Sequence, residues 1–111
     1  MKYALLIYNA GWARDLLSGE ALQRVEDAFA EVLALPSVSG AVQLQGVGAA
    51  TTVRVEDGKT LLTDGPFVDS KEFLGGLFLF EGANLDEAIA VAARLQECRP
   101  GGAIEVRPIV E

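Results

Sequence analysis

The sequence predicts an α+β fold of the split β-α-β, ferredoxin-like type: one antiparallel sheet carrying two helices on one of its faces. Three observations lead there. Two stretches with helical spacing each lie between strand-like runs. The central strand-like runs are apolar on both alternating faces. An Asp-Gly pair in the middle of the chain joins two β-rich runs into an inserted hairpin. At 111 residues the chain has the length of a single domain, residues 1–111, and half of it is hydrophobic, enough for a core without disulfide or metal staples.

The elements follow in order. Residues 2–8 place Tyr3, Leu5 and Ile7 on one face and Ala4, Leu6 and Tyr8 on the other, the pattern of a central strand covered on both sides. Residues 9–14 form a loop. From Ser18, a plausible N-cap, Leu22, Val25, Phe29, Val32 and Leu33 fall on one helical stripe that Pro36 brings to an end. Residues 41–45 suit a short strand and 46–50 a small-residue loop. Gly46 and Gly48 lack the rest of a phosphate-binding pattern.

The runs 51–56 and 60–64 flank Asp57-Gly58, the preferred type I′ turn, with Glu56 facing Lys59 beside it. Residues 74–80 form another strand, with Leu74, Phe78 and Phe80 on one face and Leu77 and Leu79 on the other. Gly75-Gly76 within it points to a bulge or a close backbone approach. Asn84 with Glu87 starts the second helix in the manner of a capping box. Leu85, Ile89, Ala92 and Leu95 or Gln96 give its stripe, and Pro100-Gly101-Gly102 breaks it. Residues 103–109 close the fold as a last strand.

In a split β-α-β sheet the face away from the helices normally meets water and is polar. Here that face is apolar, and no third helix is spare to cover it. A second copy of the sheet, packed face to face about a two-fold axis, is the cheapest cover, so the chain is expected to be a homodimer; lining a ligand pocket is the other use of such a face.

Composition narrows the function. The net charge is −7 and no basic stretch is present, which argues against nucleic acid and against an anionic membrane surface as partners. No run approaches the length of a membrane span, and the opening apolar run is short for a signal peptide. One cysteine, Cys98, rules out an intrachain disulfide and suits the cytoplasm. Cys98 lies near a helix C-terminus, where a thiolate is disfavoured, and reads as structural. The chain contains no histidine, so Ser-His-Asp and Cys-His sites are impossible and histidine-ligated haem, zinc and iron sites are excluded. No metal and no cofactor is expected, and any general acid or base is a carboxylate, Lys, Tyr or Cys.

The run TTVRVEDGKTLLTDGPFVDSKEFLGGLFLF, residues 51–80 with Asp64-Gly65-Pro66-Phe67 inside it, closely resembles the signature of the DGPF-domain branch of the YCII-related family. KYALLIY resembles that family's first strand, and LDEAIAVAARL with GGAIEVRPIV its second helix and last strand. The resemblance covers nearly the whole chain and is weakest over residues 9–50. It implies a dimeric α+β barrel, in which two ferredoxin-like sheets close against each other. It also implies a branch whose members mostly lack an assigned activity, some of them encoded beside extracytoplasmic sigma factors. Better-known YCII-like relatives are held to use a His-Asp pair in a small-molecule pocket; without histidine this chain does not carry that mechanism over. Phe73 stands where the family often has a polar residue, and Leu77 where an aromatic is common.

Asp64 is the first candidate for chemistry. The Asp57-Gly58 turn pairs residue 56 with 59 and so on to 51 with 64, which sets Asp64 on the face of Val53, Val55 and Leu62. A carboxylate buried on such a face resists ionisation unless it is hydrogen-bonded, and so becomes usable as an acid or base. The competing reading is that Asp-Gly-Pro is simply a turn. Lys71, at the mouth of the apolar strand, is a candidate partner for Asp64 or for an anionic substrate; for Lys71 and Glu72 the competing reading is a solvated strand-end charge pair. Glu72, Arg54 and Tyr8 are candidate ligand-binding residues. For Arg54 the competing reading is a surface pair with an acid such as Glu56, and for Tyr8 a boundary core position. Trp12 suits a lid or an interface anchor.

Three functions fit: a small-molecule-binding or regulatory module that senses a ligand or docks on a regulatory protein, a cofactor-independent enzyme on a small organic substrate with Asp64 as acid/base, and a bare structural dimer. The sequence leaves open whether the chain is catalytic at all.

Overall fold

The computed structural model describes residues 1–10, 18–68 and 71–111. Its elements are β1 (Lys2–Ala10), α1 (Gly19–Leu33), β2 (Val38–Gln43), β3 (Thr51–Glu56), β4 (Lys59–Asp64), β5 (Glu72–Glu81), α2 (Leu85–Glu97) and β6 (Ala103–Pro108), with a short 3-10 turn at Val47–Ala49. Four strands form one antiparallel sheet in the order β2-β5-β1-β6, and β3-β4 stand apart as a two-stranded sheet. With both helices contributing to one core, this is the split β-α-β, ferredoxin-like α+β architecture with a hairpin inserted between β2 and β5.

Cross-strand pairing decides which side chains share a face. On the helix-covered face, Tyr3 pairs with Phe80, Leu5 with Phe78 and Val106, and Ile7 with Gly76 and Ile104. These residues pack with Val32 and Phe29 of α1 and with Ala88 and Leu95 of α2; Leu5, Ala88 and Leu95 are wholly buried. Phe29 meets Phe78 edge to face at 5.6 Å, a geometry that adds to their burial.

The register shifts between Ile7 and Tyr8, so Gly75-Gly76 is a bulge, one of the two readings the glycine pair offers. The bulge corrects the expected face of Leu74. One extra residue flips every side chain beyond it, so Leu74 pairs with Tyr8 and joins Leu77 and Leu79 on the open face instead of Phe78 and Phe80. A second difference lies in β2, which starts at Val38, where the buried valine pairs with Phe80, and ends at Gln43.

The open face carries Ala4, Leu6 and Tyr8 of β1, Leu74, Leu77 and Leu79 of β5, and Val42 of β2. Val42, Leu74 and Leu79 are exposed. Towards β6 the face turns polar, with Glu105 bonded to Arg107 at 2.8 Å. The molecule measures 45 × 39 × 18 Å, and its thin dimension holds one sheet and one helix layer.

Local signals act largely as expected. Asp57 and Gly58 have φ of 50° and 77°, both left-handed, which makes the turn type I′. Glu56 is in register with Lys59, but its carboxylate pairs at 3.5 Å with Arg54, two residues along the same strand and so on the same face. Asn84 Oδ1 accepts the Glu87 N–H at 3.0 Å, while Glu87 Oε2 accepts from Ala83 N at 2.8 Å, one residue before the position a capping box uses. Ser18 is at the N-cap of α1 without a side-chain capping bond.

Candidate functional site

Between α1 and the sheet lies a cavity of about 480 Å³, within the usual range for small-molecule sites. Leu22, Val25, Phe29 and Leu33 of α1 form one wall, and Ile7, Phe78 and the Gly75-Gly76 bulge form the other. Ala41, Val42 and Gln43 of β2 close one side. The polar end is built by Asn9 and by Arg99-Pro100-Gly101, the segment that leaves α2. Leu22 and Leu33 belong to the apolar stripe of α1 yet remain exposed.

The glycines make room for this end of the cavity. A Cβ at Gly76 meets the Val42 carbonyl oxygen at 2.5 Å, and one at Gly75 collides with the Asn9 side chain. Gly101 and Gly102 both have left-handed φ, 73° and 72°, and a Cβ on Gly102 strikes the Tyr8 carbonyl. The chain thereby turns back from α2 onto β1 closely enough for Arg99 to reach it.

Arg99 is half-buried and is held by three neutral oxygens. Nη2 donates to the Tyr8 carbonyl at 2.8 Å and to Asn9 Oδ1 at 2.7 Å, and Nη1 donates to Gln96 Oε1 at 2.6 Å. The ion pairs among the described residues are Arg54–Glu56, Arg94–Glu31 and Arg107–Glu105, so no described carboxylate neutralises Arg99. Burial of the guanidinium lowers its pKa from the ordinary arginine value.

The residues singled out from sequence lie elsewhere. Asp64 ends β4, pairs with Thr51 as the register requires, and is exposed in this chain, as are Val53, Val55 and Leu62 on its face. An acid/base role for Asp64 therefore needs a cover that the described residues do not supply. The turn after it is held by backbone: Gly65, with φ of 101°, donates to the Ala50 carbonyl at 2.8 Å and accepts from Thr52 Oγ1 at 2.7 Å.

Arg54 forms the surface pair with Glu56 and lies 5.5 Å from the centre of the Phe67 ring. Lys71 is exposed and makes no ion pair with Asp64. Glu72 is exposed at the start of β5, where it pairs with Ala10, a cavity-lining residue. Tyr8 places its side chain on the open face of the sheet and gives only its carbonyl to Arg99. None of these five lines the cavity. Trp12 lies outside the described residues. Sequence reasoning missed Arg99 and Asn9. A basic residue behind a helix C-terminus is ordinary, and only its fold back onto β1 marks Arg99.

A small α+β domain with a ligand-sized cavity between helix and sheet is the class that fold and cavity define. The sequence matches the YCII-related domain over residues 1–111, and the chain belongs to that family. It is 36% identical over 117 residues to an uncharacterised protein of Rhizobium meliloti (strain 1021), covering 98% of this chain and 92% of the other. Among solved structures it is similar to the divalent cation tolerance protein (Cut A1) of Thermus thermophilus, at 16% identity and a TM-score of 0.41, over all of this chain and 86% of the other.

Proposed function

We propose that this chain is a small-molecule-binding module whose ligand occupies the cavity between α1 and the sheet. The observation that carries the reading is the cavity itself, about 480 Å³ with walls that are largely apolar, Glu26 and Gln43 apart, and a polar end at Asn9 and Arg99. A pocket that is largely apolar with a few fixed polar groups is the usual form of such sites. The Asp64-Gly65-Pro66-Phe67 run supports assigning the chain, in this reading, to the DGPF branch of its family. The apolar open face supports a homodimer with the two sheets packed together as a dimeric α+β barrel.

The test is a ligand screen by two-dimensional NMR on wild type, Ala41→Trp and Asp64→Asn. Ala41 is an exposed residue on the cavity wall, so a tryptophan there fills the space without removing a core contact. Binders are expected to shift amide signals of Ile7, Phe29 and Gly76 in wild type and in Asp64→Asn, and to lose at least tenfold in affinity in Ala41→Trp. Binding that ignores Ala41→Trp and vanishes in Asp64→Asn would move the site to the hairpin and favour the acid/base reading of Asp64. No binder of any kind would turn attention to protein partners.

A further inference from the structure

We infer that the ligand of this cavity is a small organic monoanion, a carboxylate with an apolar body, anchored by the guanidinium of Arg99; the inference rests on the ligand-binding reading above.

The geometry points this way through charge and donor accounting. A guanidinium carries five N–H donors. The Tyr8 carbonyl, Asn9 Oδ1 and Gln96 Oε1 take one each, which leaves two without an acceptor among the described residues, on a side chain that lines the cavity. All three acceptors are neutral, so they orient the cation without cancelling its charge. A half-buried charge without a counter-ion is costly. A carboxylate entering the cavity supplies both the acceptor and the opposite charge, in a charge-assisted hydrogen bond of the stronger kind.

The rest of the cavity limits what is attached to that carboxylate. Phe29, Phe78, Leu22 and Val25 offer only apolar surface, so the body of the ligand is hydrocarbon or aromatic. Glu26 is the other charged residue among the described residues that line the cavity, and it is exposed on α1. It makes no ion pair with Arg99. A second carboxylate on the ligand would meet Glu26 as a like charge, which selects monoanions over dianions.

Arg99 is also a staple between β1 and the turn after α2, and the experiment must separate that role from ligand binding. The probes are matched pairs of acid and primary amide, namely benzoate, 3-phenylpropionate and hexanoate with their amides, together with succinate. Binding is read by NMR titration on wild type, Arg99→Lys and Arg99→Gln, with folding of each variant checked by circular dichroism.

The expected result is that wild type binds at least one acid tenfold or more tightly than its amide, and more tightly than succinate. Arg99→Gln brings that ratio close to one, and Arg99→Lys keeps part of it. An acid and its amide binding wild type equally would overturn the monoanion inference while leaving the cavity as a ligand site. A preference that survives in Arg99→Gln would overturn Arg99 as the anchor. If neither acids nor amides bind wild type, both the inference and the ligand-binding reading fall. If the Arg99 variants do not fold, the acid-to-amide ratio in wild type decides the monoanion preference, and the shift of the Arg99 Nε–H signal on addition of acid, absent with the amide, decides the anchor.

Discussion

In the four-stranded sheet, Tyr3, Leu5 and Phe78 alternate inward and are sealed beneath two helices, each 3% exposed or less. In the β3–β4 hairpin, Val53, Val55 and Leu62 share a face just as regularly and are 59–68% exposed. The strand chemistry is alike, and the register of the hairpin is the cleaner of the two, without a bulge. The regions differ in what lies beside them. An alternating pattern specifies which side chains share a face, while burial depends on a neighbour that only the fold, or a second copy, provides. A two-stranded sheet on its own is marginal in water. This one is anchored at its base by the bonds of Gly65 to Ala50 and Thr52, and by Arg54 against Phe67.

The largest effect is expected in the sealed core. Leu95→Ala removes a wholly buried side chain of α2 and should lower unfolding stability in urea by about 2–5 kcal/mol. A loss below about 1 kcal/mol would mean that the helix-covered face is no better packed than the hairpin, and the contrast would collapse. On the open face of the same sheet, Leu79→Lys should leave the chain folded by circular dichroism. In sedimentation it should convert the proposed dimer to single chains. Wild type that already sediments as one chain at high concentration would remove the dimer from the account. The smallest effect belongs to the hairpin: Val55→Thr keeps the β-branched shape and should change stability by no more than about 0.5 kcal/mol in dilute protein. A loss that grows with protein concentration would show that a second copy covers the hairpin face.

The candidate site was far less legible than the fold. Strands, helices and turn follow from short-range rules, in which each residue answers to neighbours a few positions away. The cavity joins Asn9, Phe29, Gly76 and Arg99, residues tens of positions apart that no spacing rule connects. The Gly75-Gly76 pair was the nearest thing to a signal. It points to a bulge or a close backbone approach, and the consequence, the flip of Leu74 to the open face, appears only once the strand has a partner to be out of step with. Asp64 shows the opposite limit. Its place opposite Thr51 was legible from the turn alone, while its exposure was not, because the alternation of Val53, Val55 and Leu62 looks the same whether or not anything covers it.

By itself, then, the sequence determined the α+β class, the two helices, the type I′ turn with its register, and the absence of any histidine-based chemistry. Each of these is local geometry or composition. Only the tertiary structure decided that the hairpin stands outside the main sheet, that one sheet face is sealed and the other open, and that Arg99 returns to β1 to sit on a cavity without a carboxylate partner among the described residues. The physical reason is that burial and charge compensation belong to pairs of surfaces brought together by the fold, and a linear pattern records only one surface of each pair.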